Sequence, residues 1–178
     1  CIDVEGFDPG ATFTDASNLI SMFMNVEHTW AGDLDIILTA PNGSSIEILN
    51  FGQVGNSKYL GNPNFDDSAN APGIGFEYII RESPPANVTF QTALFNLPTG
   101  SSLPAGDYLP LDPFDNFIGT NLNGRWCLTV TDNLERDNGY IFEWGLNFDP
   151  SLLPDDLSFE PNAVREEWLP DPTITARN

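Results

Sequence analysis

Apolar and polar residues alternate with a period of two in several short segments of the first 150 positions. In residues 20–28, Ile20, Met22, Met24 and Val26 form one set, and Ser21, Phe23, Asn25 and Glu27 form the other. A strand sends successive side chains to opposite faces, so this pattern predicts a strand with one face in the core. The alternation returns in 33–40, where Leu34, Ile36 and Leu38 share a face, and again in 45–49. Between them stands the turn tetrad Ala40-Pro41-Asn42-Gly43, so the pair reads as a hairpin. Residues 126–131 set Trp126, Leu128 and Val130 against Cys127, Thr129 and Thr131. Residues 140–148 put Phe142, Trp144, Leu146 and Phe148 on one face, as core positions. The acidic stretch that ends in Gly139 is the turn expected between those last two strands. Weaker patterns predict strands at 76–80 and 88–95, and 97–108 reads as turns.

Residues 51–75 are rich in Gly, Asn, Asp and Pro and predict a long surface excursion, a place where ordered loops often carry function. The 15 Gly and 15 Pro punctuate short apolar runs, which favours strands and turns over long helices. About eight antiparallel strands with no convincing helix predict an all-β fold, a jelly-roll β-sandwich. The expected organisation is one sandwich over 1–150 and a C-terminal strap or linker over 151–178, where four prolines fall.

With 40% hydrophobic residues in 178, the chain is long enough and apolar enough for a substantial core. Its charge is lopsided: 26 acidic residues against 6 basic ones, for a net −20. That balance argues against nucleic acid, whose binding draws most of its affinity from Lys and Arg, and against anionic membrane surfaces. It suits a saline exterior and a hard cation such as calcium, which takes oxygen ligands. No apolar run approaches the roughly 20 residues a membrane-spanning helix needs. Two cysteines and one histidine are too few for a four-ligand structural zinc site. Cys1 and Cys127 either form a disulfide, as suits an exported protein, or leave Cys127 as a small core residue. The start at Cys1 fits an excised fragment, a mature terminus or a lipidated cysteine.

An ordered series of motifs runs through this framework: His28-Thr29, Gly32-Asp33-Leu34, Ala40-Pro41-Asn42-Gly43, Asn123-Gly124-Arg125-Trp126, Asp132, Gly139 and Trp144-Gly145-Leu146. The series, with Phe65-Asp66-Asp67-Ser68-Ala69, resembles the P domain (P/Homo B domain) that follows the protease in proprotein convertases. The wording looks closest to P domains in large surface proteins of the Bacteroidetes, many exported by the type IX route. The resemblance implies a non-catalytic accessory module of a secreted or bacterial cell-surface protein, stabilising or spacing neighbouring domains of the same polypeptide. Some such copies have extra cysteines where this chain has Ala40 and Thr120, so their disulfide pattern does not carry over.

Three kinds of chemistry compete. A Ser-His-Asp arrangement around His28 lacks a nucleophile signature, and a structural histidine is the better reading, so no enzyme is expected. Calcium is favoured over catalysis: Asp33 and Asp35 stand at a strand start, Asp66 and Asp67 in the long loop, and Asp132 and Asp137 bracket the last turn. The resemblance singles out Asp33, Asp67 and Asp132 among them, although Asp33 and Asp132 also suit turn capping. Trp30, in a turn between strands, is a candidate anchor for a partner. An adhesin or ligand-binding module using Trp30 and the 51–75 loop is therefore the rival function, with a cell-surface protein or glycan as partner. A hydrolase with an unrecognised site ranks below both.

Overall fold

The computed structural model describes residues 1–55, 57–65, 71–134 and 137–154. In chain order its elements are β1 (Ile2–Val4), β2 (Leu19–His28), β3 (Leu34–Thr39), β4 (Ser45–Leu49), β5 (Lys58–Tyr59), β6 (Phe76–Ile80), α1 (Phe90–Phe95), β7 (Ser101–Ser102), β8 (Gly106–Tyr108), β9 (Gly124–Asp132) and β10 (Gly139–Phe148). One sheet has the order β1-β9-β3-β4 and the other β10-β2-β6-β8, with β5 and β7 forming a small ladder of their own. The inward side chains of both sheets meet in one core. Met22, Met24 and Val26 from β2, Ile36 and Leu38 from β3, Ile46 and Ile48 from β4, and Trp126 from β9 are buried there. Each such side chain contributes about 1.5–3 kcal/mol by leaving water.

The predicted hairpin forms as read. Ala40 N–H donates to Ser44 O, Gly43 N–H donates to Ala40 O, and Gly43 takes the left-handed φ of 89° that the turn requires. Cys1 and Cys127 form a disulfide that pins β1 to β9, whose register runs Ile2 against Trp126.

Several expectations are corrected. The strand expected at 88–95 is instead a short helix: Thr89 Oγ1 caps it by accepting the Thr92 N–H, and Phe90 and Leu94, four apart, are both buried. Segment 97–108 holds β7 and β8 among its turns, and the ladder is not wholly antiparallel, since β5–β7 and β6–β8 pair in parallel. Phe142 does not join the core. The register shifts between Ile141 and Glu143, and Phe142 is left 45% exposed, stacked on Tyr140. A second shift near Phe148 leaves Ile20 outside while Leu19 is buried.

Candidate functional site

β2, β3, β9 and β10 bring their ends together at one end of the sandwich. β9 reaches it at Asp132, paired with Leu34 at the start of β3, and β10 begins there at Gly139, paired with His28. His28 is almost fully buried, and its Nδ1 accepts the Trp30 N–H at 3.1 Å. That bond uses the Nδ1 lone pair, so the neutral ring keeps its proton on Nε2, which faces Asp132 Oδ2 at 3.6 Å. Burial lowers the imidazole pKa, and the charges of Asp132 and Asp33 oppose the shift. The ring lies flat against Gly139, where a Cβ would stand 2.1 Å from His28 Cδ2. Only glycine leaves that space.

The neighbouring residues lock the same junction. Thr29 exchanges hydrogen bonds with residue 138: its N–H and hydroxyl both reach Asn138 O, and Asn138 N–H returns to the hydroxyl. Gly32 lies beneath the 51–55 segment, with Gly52 N–H donating to its carbonyl and Gly55 O where a Cβ would be. Asn133 ties the end of β9 to β3, its amide donating to Asp33 O at 3.0 Å and Asp35 Oδ2 at 2.9 Å. These contacts give a physical reason for the His-Thr, Gly-Asp-Leu and glycine elements of the motif series.

Of the proposed ligands, Asp33, Asp132 and Asp137 are brought together. Asp137 hydrogen-bonds Asp33, and its carboxyl is pushed up to about 7 by burial, by that bond and by the charges of Asp132 and Asp33. Its Oδ1 is buried without a partner, and so is Asn138 Oδ1. Asp132 has a second duty, since its Oδ1 accepts the Leu134 N–H. Asp35 points elsewhere, holding Phe51 N–H at 2.8 Å as well as Asn133. Asp66 and Asp67 lie outside the described residues, as does most of the expected strap over 151–178. Trp30 is half-buried, and its backbone serves His28. Beside the cluster, a cavity of about 200 Å³ is lined by Val26, Glu27, Leu34, Val130 and Ile141, with His28 and Asp132 among them.

The donor chemistry here fits a hard cation: carboxylate and amide oxygens, two of them buried and unmet. Among the described residues, no group of three or more His, Cys, Asp and Glu is set closely enough to hold a metal ion as it stands. A calcium ion would therefore need further oxygens beside Asp33, Asp132 and Asp137. Reading the sequence missed Thr29, Asn133 and Asn138 as positioning residues. Only the position of Thr29, next to the lone histidine, hinted at its part.

Residues 91–148 match the family model described as Proprotein convertase P-domain, which supports a P domain of that type here. The matched segment contains Asn123 to Trp126, Asp132, Asp137, Gly139 and Trp144; the His28 and Gly32 motifs lie N-terminal to it. No curated protein and no solved structure matches the chain.

Proposed function

We propose that the domain is a non-catalytic accessory module of a larger, exported protein, stiffened by calcium at the junction of His28, Asp33, Asp132 and Asp137. The observation that carries this reading is the state of Asp137. Three carboxylates converge, one of them is pushed to about 7, and an oxygen of that same carboxylate is buried without a donor. Calcium would supply the missing positive charge, with Asp33, Asp132 and Asp137 as its carboxylate ligands. The lone histidine supports the non-catalytic half. Its Nδ1 is committed to a backbone N–H and its ring is packed on Gly139, so it serves as a packing residue where β2 meets β10 rather than as a base open to substrate. Among the described residues, no helix is long and apolar enough to cross a membrane.

Thermal unfolding in EDTA and in millimolar calcium tests the reading. A ligand that binds only the folded state raises the midpoint by mass action. The expected result is a calcium-dependent rise that disappears in Asp33→Ala and Asp137→Asn. An equal midpoint with and without calcium in the wild type overturns the calcium assignment.

A further inference from the structure

Glu27 is the most unusual residue outside this junction. It stands on β2 in a position whose alternation predicts solvent, yet it is 0% exposed. Gly61 and Gly73 close over it: a Cβ on Gly61 would meet Glu27 Cβ at 2.7 Å, and Gly73 N–H donates to Oε1 at 3.2 Å. The other carboxylate oxygen, Oε2, is buried with no partner. Two residues earlier on the same face, Asn25 Oδ1 is also buried with no partner, pressed against Gly75. A carboxylate removed from water needs a compensating charge or proton, and leaving it bare costs several kcal/mol.

The Lys and Arg side chains of the described residues supply no such charge. Lys58 Nζ is spent on the carbonyls of Leu94, Phe95 and Leu97, Arg81 on Asp107, and Arg125 lies near Asp3. Burial raises the Glu27 carboxyl pKa, and the Gly73 N–H at Oε1 opposes that shift. What is left is two acceptor oxygens, Glu27 Oε2 and Asn25 Oδ1, on one face of β2, each buried without a donor.

We propose that Glu27 and Asn25 form a second hard-cation site, on the outer face of the β10-β2-β6-β8 sheet and separate from the Asp33–Asp132–Asp137 junction. Its ligand is a divalent cation of the calcium class, bound through Glu27 Oε2 and Asn25 Oδ1, with the remaining oxygens from water or neighbouring groups. The ion holds Gly61 and Gly73 against β2.

The test is calcium stoichiometry by native mass spectrometry on the chelator-stripped domain, alongside terbium luminescence excited through tyrosine. Tyr140, in register with Glu27, is placed to sensitise an ion there. Glu27→Gln keeps the shape and removes the charge. It is expected to bind one ion fewer than wild type and to lose the tyrosine-sensitised signal, while its unfolding midpoint in EDTA is no lower than that of wild type. Asn25→Ser, which stays folded even if Glu27→Gln does not, is expected to weaken the same equivalent at least tenfold. Loss of a different equivalent in Asp137→Asn keeps the two sites distinct. If Asp137→Asn binds as wild type does while Glu27→Gln loses an ion, the site at Glu27 stands and the junction reading falls. If Glu27→Gln retains the wild-type stoichiometry and affinity, the proposal is overturned. It is equally overturned by an infrared band of a protonated carboxyl that persists in saturating calcium at neutral pH and vanishes in Glu27→Gln.

Discussion

The two ends of the sandwich are built from the same strands and held by opposite means. At the end where β9 begins, Trp126 packs edge-on against Phe117 at 5.1 Å and Phe148 at 5.6 Å, and Phe148 in turn meets Phe7 at 5.2 Å. Cys127 bonds Cys1 beside them. Six residues further along β9, Asp132 lies in the other end, among His28, Asp33 and Asp137. The first end is built on aromatic packing and a covalent link. The second is polar and carries unmet oxygens. The contrast teaches that aromatic packing and a disulfide hold one end, while the other gathers carboxylates and unmet oxygens.

Breaking the first end is expected to cost most. Trp126→Ala removes a fully buried ring that touches both sheets, and is expected to lower stability by about 3–5 kcal/mol in chemical denaturation. Next is Cys127→Ser. The disulfide spans a sequence separation of 126, and releasing so long a loop in the unfolded chain is expected to cost about 2–4 kcal/mol. A reducing agent should act on wild type in the same way and leave Cys127→Ser unchanged. If either substitution leaves the denaturation midpoint within error of wild type, the aromatic, covalent end does not carry the fold.

The second end sharpens the comparison with smaller, condition-dependent effects. In EDTA, the Asp137 carboxyl holds its proton more tightly in the folded chain, near 7 against 3.8 in the unfolded one. Its contribution is therefore full below about pH 4 and is lost as pH rises through about 7. Because the group is partly open to solvent, the loss is expected to be about 1 kcal/mol. Asp137→Asn should flatten that pH dependence and raise the midpoint at pH 8 in EDTA. Calcium should flatten it too, by keeping the carboxylate ionised and paired. A wild-type profile in EDTA that is level between pH 4 and pH 8 would contradict the convergence of the three carboxylates. The smallest effect is expected at Phe142, which the bulge has already placed outside the core: Phe142→Ser should shift stability by less than about 1 kcal/mol.

The strands and the tight hairpin were legible because each rests on local signals. Alternation in 33–40 and 45–49 and the Asn42-Gly43 turn act over neighbouring residues. Register shifts do not. The bulge after Ile141 is set by how β10 meets β2, so Phe142 read as core and Ile20 read as sharing a face with Met22. The helix at Phe90–Phe95 was misread because its apolar residues suit either period, and the Thr89 cap was the deciding signal. The P-domain resemblance singled out Asp33, Asp67 and Asp132; Asp33 and Asp132 lie beside His28, and Asp67 falls outside the described residues. Glu27 gave no sign at all, since on an alternating strand it occupies a solvent position until Gly61 and Gly73 cover it.

What the sequence determined by itself is thus the class of fold, the principal strands, the tight hairpin turn and the acidity of the chain. Those follow from periodicity, turn chemistry and charge, which are properties of short segments and of the whole composition. The tertiary structure alone decided that Cys1 reaches Cys127, that one Asp137 oxygen is buried without a partner, and that a glutamate on a polar face is sealed from water. Each depends on groups far apart in the chain meeting at a distance of a few ångströms. Burial and unmet hydrogen bonds are created only when those groups meet, so no window of sequence contains them.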